Sequence, residues 1–152
     1  MDKQVIRYNV FETNSSSVHT LAIAKEGLEP SHLPTDKEGY ILARYGSFGK
    51  ERRYYDTQEE KLSYLVTCCY YLSHGWDKES LYENWTFREI QEAICEYTGA
   101  KGIRIVGDDE PEIDHQSQPD DGWDLNVVDG YDHEQVVSFV FNKYVSLKTD
   151  CD

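Results

Sequence analysis

The sequence predicts a single α+β domain in residues 1–152, with a mixed or antiparallel sheet of about four to five strands packed with about two to three helices. The length of 152 residues suits one domain, and the 39% hydrophobic and 13% aromatic content is that of a folded chain. Short β-prone runs occur in both halves, apolar residues recur at helical spacing in the middle, and no Pro- or Gly-rich linker divides the chain.

The strands are predicted from short runs rich in β-branched and aromatic residues that end at turn-forming residues. Residues 27–34 contain Pro30 and Pro34 and are predicted to form a loop. Gly46 and Gly49 predict a tight turn after the third run. The predicted strands are residues 5–11, 18–24, 40–45, 101–106 and 123–128.

Two helices are predicted from capping boxes, in which a Ser or Thr is followed three residues later by Glu or Gln. Thr57 with Glu60 opens the first helix, which is expected to stop near Gly75. Thr86 with Glu89 opens the second, and Gly99 stands where a C-terminal cap belongs. The apolar faces are Leu62, Leu65, Val66, Cys69 and Leu72 in the first helix, and Phe87, Ile90, Ile94 and Tyr97 in the second.

The segment 136–145 is apolar and suits either a helix or a strand. Asp132 followed by Gln135 is typical of a helix start, whereas the Val and Phe content suits a strand. We favour a helix here.

The charge balance limits the possible partners. Fifteen Lys and Arg residues stand against 29 Asp and Glu residues, giving a net charge of −14. Nucleic-acid phosphates and anionic membranes would repel such a chain, whereas a basic protein surface or cations would attract it. A charged surface that serves solubility alone is the simpler interpretation.

Several features lead us to expect a cytoplasmic protein. The first residues lack the apolar segment of a signal peptide, and no stretch approaches the roughly 20 apolar residues of a membrane span. The four cysteines, Cys68, Cys69, Cys95 and Cys151, form no Cys-x-x-Cys pair and are expected to be reduced and inert.

An acidic segment covers residues 106–135, and no Lys or Arg occurs between Arg104 and Lys143. Carboxylates held at phosphate-like spacing on a folded scaffold can occupy a groove that evolved to bind nucleic acid. A solvated acidic face is the alternative. The candidate partner-binding residues are Asp108, Asp109, Glu110, Glu112, Asp114, Asp120, Asp121, Asp124, Asp129, Asp132 and Glu134.

A second candidate site is the polar run 7–19 near the start of the chain. Its hydroxyl and amide groups suit an anion or nucleotide site, but they also suit a loop that satisfies its own backbone. Ser17 and His19 lie two apart on one strand and therefore have no assured hydrogen bond, and no Gly-x-Ser-x-Gly elbow is present. The alternative catalytic set is Arg7, Glu12, Ser17 and His19, and the alternative ligand-binding set is Arg7, Asn14, Ser15, Ser16 and His19.

No metal site or cofactor is predicted. Asp114, His115, Asp132 and His133 carry ligand atoms suited to a divalent metal, but their spacing is not diagnostic. The alternating acids and closing Glu of a calcium loop are absent from the sequence.

The run 9–19, Asn-Val-Phe-Glu-Thr-Asn-Ser-Ser-Ser-Val-His, resembles the opening of a family of proteins encoded by bacteriophages and other mobile elements. Members begin with a basic residue followed by Val-Phe-Glu-Thr-Asn-Ser-Ser-Ser-x-His. The resemblance continues through residues 45–49 and the Lys61-x-x-Tyr64-Leu65 segment, and it leaves the acidic second half unmatched. This chain has Ser47 where the family pattern has an acid and Lys50 where it has a Trp. The resemblance implies a phage or prophage origin and the bacterial cytoplasm, but no activity.

Two function classes follow. The first is a non-enzymatic, anti-CRISPR-like phage accessory protein that inhibits a host defence or nucleic-acid-handling protein through the acidic face. Its partner would be a host protein with a basic nucleic-acid-binding groove, without direct contact to nucleic acid. The alternative is a small enzyme or nucleotide-binding protein that uses the N-terminal polar run. We favour the first, because the resemblance and the one-sided charge both point to it.

Overall fold

The computed structural model describes residues 4–8, 27–49, 53–73, 78–114, 119, 125 and 127–149, and gives only the backbone at 4–8 and 78–79. The predicted α+β class is confirmed. The helices are α1 (Gln58–Leu72), α2 (Lys78–Glu83), α3 (Trp85–Thr98) and α4 (His133–Phe141). The strands are β1 (Gln4–Tyr8), β2 (Tyr40–Ala43), β3 (Ser47–Phe48), β4 (Arg53–Tyr55), β5 (Gly102–Ile105), β6 (Glu112–Ile113) and β7 (Val145–Thr149).

The described strands form three small sheets, where the sequence predicted one larger sheet. In the first, β7 lies between β1, to which it is parallel, and β4, to which it is antiparallel. The strands of the two other pairs, β2 with β5 and β3 with β6, run parallel. A parallel pair requires a long crossover connection, and helices α1 to α3 lie in the chain between the paired strands.

Several predicted strands correspond to observed ones. Strands β2 and β5 fall within the predicted runs 40–45 and 101–106, and β1 overlaps the run 5–11. The predicted turn at 46–49 instead contains β3, whose Phe48 is buried, and Gly49 follows it with φ +93°. The predicted strand 18–24 lies outside the described residues.

The predicted strand 123–128 is wrong at the positions that the structure describes. Leu125, Val127 and Val128 are buried. However, the amide of Leu125 donates to the carbonyl of Val128 at 3.0 Å, which holds this stretch in a bend. At positions 125, 127 and 128 the chain is not in a strand. The apolar residues that suggested a strand therefore contribute to the core from a bend.

The first capping box is confirmed. The amide of Glu60 donates to Oγ1 of Thr57 at 3.1 Å, and the Glu60 carboxylate accepts from the Thr57 amide at 3.3 Å. The helix ends at Leu72, before Gly75. Its buried positions extend beyond the predicted stripe and include Lys61 and Tyr64.

The second predicted cap is wrong. The N-cap of α3 is Asn84, whose Oδ1 accepts from the amide of Phe87 at 2.9 Å, and Thr86 is buried inside the first turn. The predicted C-terminal cap is confirmed, since Gly99 has φ 81° and its amide donates to the carbonyl of Cys95 at 2.8 Å.

The ambiguous segment 136–145 contains both types of structure. Asp132 caps α4, and its carboxylate accepts from the Gln135 amide at 3.2 Å and from the Gln135 side chain at 3.0 Å. The helix ends at Phe141, and β7 begins at Val145 after a short turn. Helix α4 packs against both α1 and α3, and this packing brings the N-terminal end of α4 to the surface of α3.

Candidate functional site

The acidic surface that the structure best defines lies on α3, where it packs against α4. Glu89, Glu92 and Glu96 are spaced three and four residues apart, so they share one face of the helix. His133, the first residue of α4, lies between these carboxylates. Its Nε2 is 2.8 Å from Oε2 of Glu89, and its Nδ1 is 4.0 Å from Oε2 of Glu96.

A groove of about 430 Å³ runs between α3 and α4 beside His133. Its floor is apolar: Ala93 is buried, and Leu28 and Val137 are half-buried. Carboxylates of Glu96 and Glu134 stand at its rim, and the side chain of Glu96 is 77% exposed. We call this feature the α3–α4 groove; its lining consists of Leu28, Ala93, Glu96, Tyr97, His133, Glu134, Val137 and Ser138.

Tyr97 fixes one wall of the α3–α4 groove. Its ring stacks on Phe141 with centroids 4.6 Å apart and planes at 28°. Its hydroxyl donates to the carbonyl of Glu29 at 2.8 Å. The ring is therefore held by α4 on one side and by the 27–35 loop on the other, although it is 37% exposed.

A second acidic surface is the 108–114 segment, which follows β5 and includes β6. Tyr71 holds this segment on α1, because its hydroxyl donates to the carbonyl of Pro111 at 3.2 Å and accepts from the amide of Ile113 at 3.3 Å. Among the acids here, Asp109 pairs with Arg44 at 3.3 Å, and Glu112 accepts from the hydroxyl of Ser47 at 3.0 Å.

The predicted partner-binding residues differ in their environments. Asp108 and Glu110 are exposed and form no ion pair with another described residue, and Glu134 is exposed at the α3–α4 groove. Asp132 caps α4, Asp129 accepts from the Tyr131 amide at 2.9 Å, and Asp114 is half-buried beside Gly49. Asp120, Asp121 and Asp124 lie outside the described residues.

Sequence reasoning missed the acids of α3. Glu89, Glu92 and Glu96 precede the acidic segment, and only their helical spacing signals a common face. Their proximity to His133 depends on the packing of α3 against α4, which no local pattern predicts.

The alternative N-terminal site lies almost entirely outside the described residues. The backbone of Arg7 is in β1, in register with Lys148 of β7. Glu12, Asn14, Ser15, Ser16, Ser17 and His19 are outside the described ranges. The enzyme or nucleotide-binding hypothesis therefore stays a prediction.

The described cysteines occupy environments that suppress thiolate formation. Cys68 and Cys69 are fully buried in α1. Burial raises the pKa of Cys68 to about 12, partly offset by a hydrogen bond with Tyr64. Burial, reinforced by the neighbouring Cys68, raises the pKa of Cys69 well above its usual 9.0. Burial also raises the pKa of the half-buried Cys95.

Metal-ligand atoms converge at one place among the described residues. Single ligand atoms of Glu89, Glu92 and His133 all lie within 4.8 Å of one another. Of the ligands considered from the sequence, only His133 belongs to this group; Asp114 and Asp132 do not, and His115 lies outside the described residues.

Another cavity, of about 450 Å³, lies beside β2 and β3 and contains the basic side chains Arg44 and Arg53. Arg44 is paired with Asp109 at 3.3 Å, and Arg53 is paired with Glu60 at 3.2 Å. Because both guanidinium groups already face carboxylates, this cavity is not a strong anion site.

No protein-family model, curated protein or solved structure matches this chain. Within the described ranges, no helix combines the length and apolar character needed to cross a membrane.

Proposed function

We propose that this protein is a non-enzymatic accessory protein that inhibits a nucleic-acid-handling protein of a bacterial host. The acidic surfaces of the α3–α4 groove and of the 108–114 segment dock onto a Lys- and Arg-rich groove of the host protein. They take the place of the nucleic acid that this host groove binds. The resemblance of residues 9–19 to phage and mobile-element proteins supports a phage or prophage origin and a role in the host cytoplasm. CRISPR effectors are one class of target with such a groove.

The α3–α4 groove is the observation that carries this proposal. A Lys or Arg side chain has an apolar stem and a charged head. Its stem fits over Ala93 and Val137, while its head meets the carboxylates of Glu96 and Glu134 at the rim. A surface that served solubility alone would have no need of carboxylates beside an apolar floor.

The 108–114 segment supplies further negative charge on a rigid support. Tyr71 holds its backbone at Pro111 and Ile113, which limits the chain entropy that the neighbouring Asp108 and Glu110 lose on binding. Partner-facing carboxylates that are already in place favour fast, electrostatically steered association.

The net charge of −14 adds a long-range component. When a cationic groove binds nucleic acid or an equivalent polyanion, condensed counterions are released, so binding weakens steeply as salt rises. We therefore expect the affinity for the partner to fall by a large factor between about 50 and 200 mM salt.

The test is a pull-down from nuclease-treated bacterial lysate with three forms of the protein. These are the wild type, a Glu96→Gln/Glu134→Gln variant of the groove, and a Glu59→Gln/Glu83→Gln control that loses the same charge at exposed positions elsewhere. We expect the wild type and the control to retain one basic nucleic-acid-binding protein, and the groove variant to lose it. Equal capture by all three forms would contradict a docking role for the α3–α4 groove.

A further inference from the structure

We propose that Glu89, Glu92 and His133 form a binding site for a divalent transition-metal ion of the Zn²⁺ or Mn²⁺ class. Two of the ligands come from α3 and one from the first residue of α4. This inference goes beyond the proposed docking function and does not depend on it.

The ligand atoms of these three residues converge. The candidate nitrogen and carboxylate oxygens lie within 4.8 Å of one another. Metal–ligand bonds of about 2.0–2.2 Å place neighbouring ligand atoms about 3.0–3.4 Å apart. Small side-chain rotations of Glu89 and Glu92 are enough to close this difference, because Glu92 is exposed and Glu89 is only half-buried.

His133 and Glu89 are already in polar contact. Nε2 of His133 lies 2.8 Å from Oε2 of Glu89, and the imidazole tautomer with its proton on Nε2 donates it to this oxygen. A metal ion in place of this proton would have the same two atoms as adjacent ligands. The two atoms would need to move apart by only a few tenths of an ångström. The polar contact that exists in the protein therefore already brings together two atoms that a metal ion can bind.

A further carboxylate, that of Glu96, lies on the other side of the imidazole. Nδ1 of His133 lies 4.0 Å from Oε2 of Glu96. Metal-binding histidines commonly have their second nitrogen directed toward a carboxylate, which orients the ring and raises its basicity. Glu96 therefore stands on the Nδ1 side of the ring, 4.0 Å away, while Nε2 faces Glu89.

The negative charges at this place also favour a bound cation. Glu89 and Glu92 hold two carboxylates close together on one turn of α3, in a chain of net charge −14. Like charges at this spacing on a helix repel, and a dication between them removes the repulsion. Carboxylate and imidazole ligands suit Zn²⁺ and Mn²⁺, and water completes the coordination.

The test is titration of chelator-treated protein with Zn²⁺ and Mn²⁺ by calorimetry, and with Co²⁺ by visible absorption. We expect one ion per chain. Glu92→Gln and His133→Gln should weaken binding by more than the roughly 10–100-fold that an outer carboxylate contributes, and Glu96→Gln should fall within that range. Glu134→Gln removes a neighbouring charge outside the cluster and should leave the affinity unchanged within about twofold.

Three results would overturn the proposal. The first is the absence of binding to the wild type, and the second is equal weakening by Glu134→Gln and Glu92→Gln, which would indicate diffuse attraction of cations. The third is a sulfur-to-cobalt charge-transfer band, which would place the ion on a cysteine. Glu92 is exposed and makes no polar contact with another described residue, so Glu92→Gln tests the site without disturbing the fold. The titration uses the protein alone, so its failure leaves the docking proposal standing.

Discussion

The side-chain nitrogen of Lys61 donates a hydrogen bond of 3.1 Å to the main-chain carbonyl of Asn142, 81 residues further along the chain. It also donates to the carbonyl of Val145 at 2.9 Å, and the side chain is only 1% exposed. Asn142 is the C-cap of α4, where a basic group meets carbonyls that the helix leaves without partners. Lys61 thus joins α1 to the turn between α4 and β7. Helix α4 in turn forms one side of the α3–α4 groove.

Replacing Lys61 by Met should destabilise the protein. Met retains most of the side-chain volume but donates no hydrogen bond, so two buried carbonyls lose a donor. We expect the free energy of unfolding to fall by about 2–3 kcal/mol, measured by urea denaturation.

Lys143→Met provides the control for Lys61→Met. Lys143 lies two residues before Val145 but is exposed, so its replacement should change the free energy of unfolding by no more than about 0.5 kcal/mol. Equal stabilities of the two variants would contradict a structural role for the buried lysine.

Asn84→Ala should destabilise α3. Its Oδ1 accepts from the amide of Phe87, so alanine leaves that amide without its cap and should cost about 1 kcal/mol in the free energy of unfolding. Asn84→Asp preserves the acceptor and should stay near the wild-type value. A loss of stability in Asn84→Asp as large as in Asn84→Ala, measured by denaturation, would show that the cap is not the cause.

The wrongly predicted N-cap of α3 shows the limit of prediction from local sequence patterns. Thr86 resembled a cap because Glu89 follows it at the spacing of a capping box. In the structure Glu89 instead contacts His133, 44 residues later in the sequence, and Asn84 provides the cap. The first helix was predicted correctly, since both groups of its capping box, Thr57 and Glu60, contact each other.

The same limit applies to the sheets and to the candidate site. The β character of residues 40–43 and 102–105 was predicted, but their parallel pairing depends on three intervening helices. The acidic character of the second half was evident from the sequence. The proximity of Glu89 and Glu92 to His133 was not, because it arises only when α4 places His133 on α3.

The stability of the protein should depend on Asp36 at acid pH. Its carboxylate accepts from the amides of Tyr40 and Glu38, each at 2.9 Å, and from Arg104 at 2.6 Å. These contacts, with the Tyr40 amide the largest, hold the pKa of Asp36 below its usual 3.8 against a smaller effect of desolvation. A folded-state pKa below the unfolded value stabilises the fold above pH 3.8, and this stabilisation is lost as the pH falls through the folded-state pKa.

We therefore expect the unfolding free energy of the wild type to fall more steeply than that of Asp36→Asn between about pH 5 and pH 2. The asparagine retains an acceptor for the two amides but does not titrate. Chemical denaturation at a series of pH values measures the two curves, and parallel curves would contradict the assignment.

The thiols of Cys68 and Cys69 should remain unmodified in the folded protein. Both are fully buried, and burial raises the pKa of each above its usual 9.0. Since the thiolate is the reactive form, iodoacetamide at about pH 8 should alkylate them only after unfolding in urea. Peptide mapping by mass spectrometry follows each cysteine, with half-buried Cys95 as the internal comparison. Alkylation of Cys68 or Cys69 at the same rate in folded and unfolded protein would contradict the burial of these thiols.

The most direct test of the account is displacement of nucleic acid from the captured basic partner. The partner is first loaded with a fluorescent nucleic acid, and release is followed by anisotropy as the protein is added. We predict full release by the wild type and by Glu59→Gln/Glu83→Gln, with at least about tenfold more of Glu96→Gln/Glu134→Gln needed for the same release. A stable complex in which nucleic acid and protein remain bound together, or equal release by all three forms, would contradict it.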